Sequence, residues 1–137
     1  MNKVSAAGCT LFVKLRQFAP DDRKRVVVDT RAAPFAPGKT DAYDELLLHQ
    51  HGAERVYLLR WHPGRGFPLH RHPGGEELFI LEGRYADEHG SYGPGTWVRA
   101  PAGSSHAPLP TEGALFYVKL GHLPAVAAGE TRANVAA

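Results

Sequence analysis

A chain of 137 residues with 43% hydrophobic and 22% charged side chains is one domain's worth of sequence, long enough to bury a core and ordinary for a globular protein. The formal charge is only +2 and the longest basic run is Arg23-Lys24-Arg25, a solvated turn rather than a nucleic-acid footprint. No run of about 18 apolar residues is present to span a membrane as a helix, and the single cysteine excludes an intramolecular disulfide and any zinc site built on a cysteine pair.

The 15 Gly and 11 Pro are dense turn chemistry without repetition, which favours many short strands over helices. Ala6-Ala7-Gly8-Cys9 has the outline of a lipoprotein cleavage box, but no apolar segment precedes it; the expected compartment is the cytoplasm. In chain order, residues 10–16 (TLFVKLR) and 25–30 (RVVVDT) read as strands. Residues 32–39 shift to Pro, Ala and Gly, a surface loop. Residues 43–49 (YDELLLH) fit a strand or one short helix, and periodicity leaves both open. Residues 54–61 (ERVYLLRW) form a strand stopped by Pro63-Gly64. Strands are also expected at 67–72, 76–82, 96–100 and 114–120, with 87–95 (DEHGSYGPG) as a hairpin connection. About eight short strands in so small a chain imply a closed or double-sheet antiparallel barrel. The expected organisation is an N-terminal edge strand and loop (1–25), a barrel (26–124) and an Ala-rich tail (125–137).

Residues 8–18 (GCTLFVKLRQF) and 113–123 (GALFYVKLGHL) share Gly and then Val-Lys-Leu at equal spacing. Two accounts stand: strands of a β-rich protein resemble one another, or the first copy is the relic of a lost preceding repeat. A strand carrying Leu11, Phe12, Val13 and Leu15 needs an edge to pair with, its own or a neighbouring subunit's. A homodimer is therefore expected, with exchange of the N-terminal strands as one form of it.

The chemistry gathers around histidine. On a strand, His70 and His72 point to the same face. Pro73-Gly74-Gly75 then turns the chain so that Glu76 can come back beside them, and Pro101-Ala102-Gly103 precedes His106 far along the chain. Three nitrogens and one oxygen suit Zn, Fe(II), Mn, Ni or Cu and leave a position for water or substrate. Eight histidines in the chain will sometimes fall at i, i+2 by chance, so the His-x-His pair alone does not establish a metal site.

These residues match the two cupin signatures. Gly64, His70, His72, Glu76 and Gly83 satisfy every spacing of the first. Gly95, Pro101, Gly103 and His106 satisfy the second, with Pro110 where the family has a non-ligating Asn. The spacing selects Glu76 over Glu77, which alternates to the other face. The chain thus resembles the cupin superfamily (RmlC-like). That resemblance implies an all-β, single-domain double-stranded β-helix, a jelly-roll barrel holding one divalent metal ion per chain (Zn, Fe, Mn or Ni) on His70, His72, Glu76 and His106. More narrowly, Arg60-Trp61-His62-Pro63-Gly64, Gly75-Glu76-Glu77, Gly95-Thr96-Trp97-Val98-Arg99 and residues 117–123 (YVKLGHL) are similar to ChrR-type cupins. That group includes the C-terminal domain of a zinc-containing anti-sigma factor. Its helical domain, which grips the sigma factor, and that domain's Cys-rich zinc motif have no counterpart in this sequence.

His49 and His51 mimic His-x-His, but no Glu follows at cupin spacing; they read as surface or turn residues. His62, His89 and His122 are expected to be structural, and Cys9 a small edge residue. Two functions follow from the resemblance. The first is a small-molecule metalloenzyme of oxygenase type acting in the barrel pocket. Similar short cupins include dioxygenases that cleave diketones or hydroxyacetophenones, although the diketone-cleaving kind uses three histidines without the carboxylate that Glu76 supplies here. The alternative is a ChrR-like zinc-binding sensor or regulatory module with no catalysis.

Overall fold

The computed structural model describes residues 5–109 and 111–124. Among them are nine strands and no helix: β1 (Ala36–Pro37), β2 (Tyr43–His51), β3 (Glu54–Trp61), β4 (His70–His72), β5 (Glu76–Asp87), β6 (Gly90–Tyr92), β7 (Trp97–Ala100), β8 (Ser104–His106) and β9 (Gly113–Leu120). Seven form one antiparallel sheet in the order β1-β2-β3-β9-β5-β6, with β7 also paired to β5; β4 and β8 form a second, two-stranded sheet. This is the all-β cupin architecture expected from the sequence.

The central strand is β9, between β3 and β5. Its near-continuous apolar run GALFYVKL is what a strand covered on both faces requires, and Phe116, Val118 and Lys119 are almost wholly buried. Phe116, Val118 and Ala114 pack with Trp61, Leu78, Ile80 and Tyr85 into the core that lines the barrel. Truncating a buried aromatic such as Phe116 to Ala costs about 3–5 kcal/mol. The long β5 bends at a register shift between Ile80 and Glu82. Just beyond it, Gly83 sits at φ +70°, where a Cβ would run into the Gly113 carbonyl of β9; only glycine fits both the conformation and the approach.

Residues 43–49, open between strand and helix in the sequence, are strand β2, and a register shift between Leu47 and His49 explains why their alternation is broken. The N-terminal expectations need correction. Residues 10–16 and 25–30 join no ladder. Instead Phe12 stacks on Phe79 at 4.6 Å between ring centroids and meets the Tyr117 edge at 5.2 Å. Lys14 pairs with Glu77, and Lys119 Nζ donates to Gln17 Oε1 over 2.9 Å. The segment lies flat on the outer face of β5 and β9 rather than extending an edge. The physical reason is that β9 carries Tyr117 and Lys119 on a face that would otherwise meet water. The other side of the segment is left bare, with Leu11, Val13 and Leu15 at 73%, 59% and 82% exposure. The expected tail from Ala125 and the signature position Pro110 lie outside the described residues.

Candidate metal centre

The small sheet builds the site. Pairing of β4 with β8 sets His70 opposite His106 and His72 opposite Ser104, while the two-residue period keeps His70 and His72 on one face. The turn after His72 is closed by the Gly75 N–H donating to the His72 carbonyl over 3.1 Å. Gly75 at φ +73° then delivers Glu76 as the first residue of β5. The centroids of the His70, His72 and His106 rings are separated by 4.7, 4.7 and 4.9 Å. One ring nitrogen from each lies within 4.8 Å of the others. Nε2 of His72 and Nε2 of His106 are only 3.0 Å apart. Glu76 Oε2 lies 3.4 Å from His72 Nε2 and 3.3 Å from His106 Nε2. The three histidines form the heart of the cluster, and Glu76 flanks two of them. Glu77 turns outward, as its alternation requires, to Lys14 and His122.

The surroundings prepare these side chains. His70 Nδ1 lies 3.0 Å from the Pro68 carbonyl and donates to it, which leaves its Nε2 with a lone pair. Burial, with the neighbouring His106 and His70, pushes His72 down to about 4. Burial, then His70, lowers His106 against the opposing pull of Asp87. Burial, reinforced by the charge of Asp87, holds the Glu76 carboxyl up at about 8. Near neutral pH the ion-free cluster thus holds His72 and His106 as uncharged imidazoles beside a protonated Glu76 carboxyl. Several lone pairs aimed at one small volume, with few hydrogens among them, fit a borderline divalent cation well.

Two cavities meet at the cluster. One, about 230 Å³ inside the barrel, is walled by Tyr43, Trp61, Phe67, Leu78, Phe116 and Val118 and lined by His70, His72, Glu76 and His106. The other, about 540 Å³, shares Glu76 and His106 with it and is lined further by Asp87, His89, Tyr92 and Ser104. A larger groove of about 770 Å³ on the outer face contains none of the four residues. The remaining histidines lie apart from the cluster. His49 and His51 pair with Asp22 and Asp21, His62 with Asp44 and His122 with Glu77; His89 is at the β5–β6 turn. Sequence reasoning missed Tyr85 and Asp87, whose oxygens each lie 3.3 Å from His106 Nδ1. Their i, i+2 spacing on β5 was the available signal.

Residues 23–124 match the ChrR cupin-like domain family. The chain belongs to that family. Solved structures agree on the fold. A cupin-like protein of unknown function from Ralstonia eutropha is 24% identical, with a TM-score of 0.64 over 72% of this chain and 67% of that one. A putative acetylacetone dioxygenase from Methylibium petroleiphilum is 17% identical, with a TM-score of 0.65 over 75% and 81%. ChrR itself, in the Rhodobacter sphaeroides complex of SigE with that anti-sigma factor, is 20% identical, with a TM-score of 0.59 over 66% of this chain and 51% of that one. The match thus spans about half of the ChrR structure. No curated protein matches the chain. No helix among the described residues is long and apolar enough to cross a membrane.

Proposed function

We propose that His70, His72, Glu76 and His106 hold one divalent ion, Zn, Fe, Mn or Ni, and that the protein is a small-molecule metalloenzyme of dioxygenase type. The observation that carries this reading is that the cluster lines an aromatic-walled cavity, where a ligand reaching the donors meets mostly apolar surface. When bound, the ion would supply Lewis acidity and, if redox-active, a place for O₂ chemistry. The chain's own part is to keep the imidazole lone pairs available, to give up the Glu76 proton in favour of the ion, and to exclude water with Trp61, Phe67 and Phe116. The cavity is small and its walls are mostly apolar away from the donors, with Lys39 and Tyr85 as further polar side chains, which favours a compact and largely apolar substrate with a polar group for the donors.

A second reading, a zinc-holding sensor without catalysis, is favoured by one observation. Lys14 of the N-terminal segment pairs with Glu77, the immediate neighbour of Glu76, so the outer surface is linked to the site. Elemental analysis of protein purified without chelating resin separates the two, together with O₂ uptake by iron-loaded protein offered small 1,3-dicarbonyl compounds. Iron, manganese or nickel with substrate-dependent uptake supports the enzyme; stoichiometric zinc with no uptake overturns it in favour of the sensor. The exposed Leu11, Val13 and Leu15 support a homodimer joined through the N-terminal segments.

A further inference from the structure

We infer that Asp87 is a positioning residue that fixes the tautomer of His106 and so decides whether this imidazole can serve the metal cluster. The inference rests on the metal reading above. Asp87 is 6% exposed and ends β5 where the hairpin to β6 begins. Its two carboxylate oxygens have separate tasks. Oδ1 accepts the backbone N–H of His89 over 2.9 Å and of Gly90 over 3.1 Å, and the Tyr92 hydroxyl over 3.4 Å, which caps the turn. Oδ2 lies 3.3 Å from His106 Nδ1.

With Oδ1 taken up by its three donors, Oδ2 is the acceptor that faces the ring, so the hydrogen of His106 belongs on Nδ1, where the Tyr85 hydroxyl oxygen, also 3.3 Å away, can share it. That placement leaves the lone pair on Nε2, the atom 3.0 Å from His72 Nε2 and 3.3 Å from Glu76 Oε2. The turn needs only an acceptor at position 87; the carboxylate is needed for the imidazole. A carboxylate behind a ligating histidine is a recurrent way to orient the ring and raise its basicity.

Asp87→Asn separates the two tasks. The amide oxygen can still cap the turn, but the amide NH₂ now faces Nδ1 as a donor. Nδ1 must then become an acceptor, which moves the ring hydrogen to Nε2, into the cluster. The experiment compares wild type, Asp87→Asn and Asp87→Ala in three measurements: thermal unfolding of the ion-free proteins, zinc affinity by chelator competition, and ¹⁵N NMR of the His106 ring without zinc. The expected result is that Asp87→Asn melts close to wild type, binds zinc about 10–100-fold more weakly, and changes His106 from the Nδ1–H to the Nε2–H form; Asp87→Ala, which also loses the cap, melts lower. The inference is overturned if wild-type His106 carries its hydrogen on Nε2, or if Asp87→Asn keeps both the Nδ1–H form and the wild-type affinity. Failure of wild type to bind zinc would instead overturn the metal reading, while the ring spectra would still decide the tautomer.

Discussion

Lys119 Nζ, near the end of β9, lies 2.9 Å from Oε1 of Glu54, the first residue of β3, with 1% of the lysine side chain exposed. A cation so deeply buried is tolerable only because it is paired and hydrogen-bonded, here by Glu54 and by Gln17 of the overlying N-terminal segment. Lys119→Met should therefore destabilise the fold by about 3 kcal/mol, because it strands Glu54 as an unpaired, largely buried charge. Adding Glu54→Gln should recover part of that loss. Denaturant unfolding checks this; a double variant as unstable as the sum of the single ones would show that the pair is not coupled.

His72→Ala should abolish stoichiometric metal and remove the rise in melting temperature that added zinc gives wild type, since the ion binds only the folded state. The ion-free variant should melt near the ion-free wild type, because His72 is part of the site rather than of the apolar core. Unchanged metal content would reject His72 as a ligand.

The pH dependence follows from two opposed groups. In the ion-free fold, Glu76 sits at about 8 against an ordinary 4.5. The native state therefore keeps a proton that the unfolded chain has lost, and this contribution to stability fades as pH rises through about 8. His72, at about 4 against 6.5, acts in the other direction and adds stability as pH climbs over that lower range. Between roughly 6.5 and 8 only Glu76 of the two is changing, so the ion-free protein should lose melting temperature there. Zinc, which takes the place of the proton, should hold the loaded protein steady. An ion-free melting temperature that climbs from pH 6.5 to 8 would contradict the buried protonated carboxyl.

The N-terminal segment gives a test of assembly. Leu11 and Leu15 are 73% and 82% exposed in a single chain, so a monomer tolerates Leu11→Asp with Leu15→Asp at little cost. A dimer built on this surface does not. Light scattering should give a dimeric wild type and a monomeric double variant; a monomeric wild type, or a variant that stays dimeric, removes the proposed interface.

How legible each part was depends on how local its signal is. His70, His72 and Glu76 belong to one turn between two strands, and their spacing carried them. His106 needed its Pro-Gly loop to be recognisable at a distance. Asp87 reads as an ordinary turn residue, because its link to His106 forms only when the β5–β6 hairpin meets β8. The segment 10–16 misled for a physical reason: alternating apolar residues describe a strand in a ladder and a chain lying across a sheet face equally well, and only the long-range contacts of Phe12 and Lys14 choose between them. β1, β6 and β8, two or three residues each, are too short to show a period.

The central claim is that four side chains from β4, β5 and β8 share one ion. The most direct test is an anomalous difference map from crystals of zinc-loaded protein. The account predicts a peak bonded to one ring nitrogen each of His70, His72 and His106 at about 2.0–2.3 Å, with a Glu76 carboxylate oxygen beside it. A fully loaded crystal with no peak there, or with the ion held elsewhere while these four remain unbound, would contradict it.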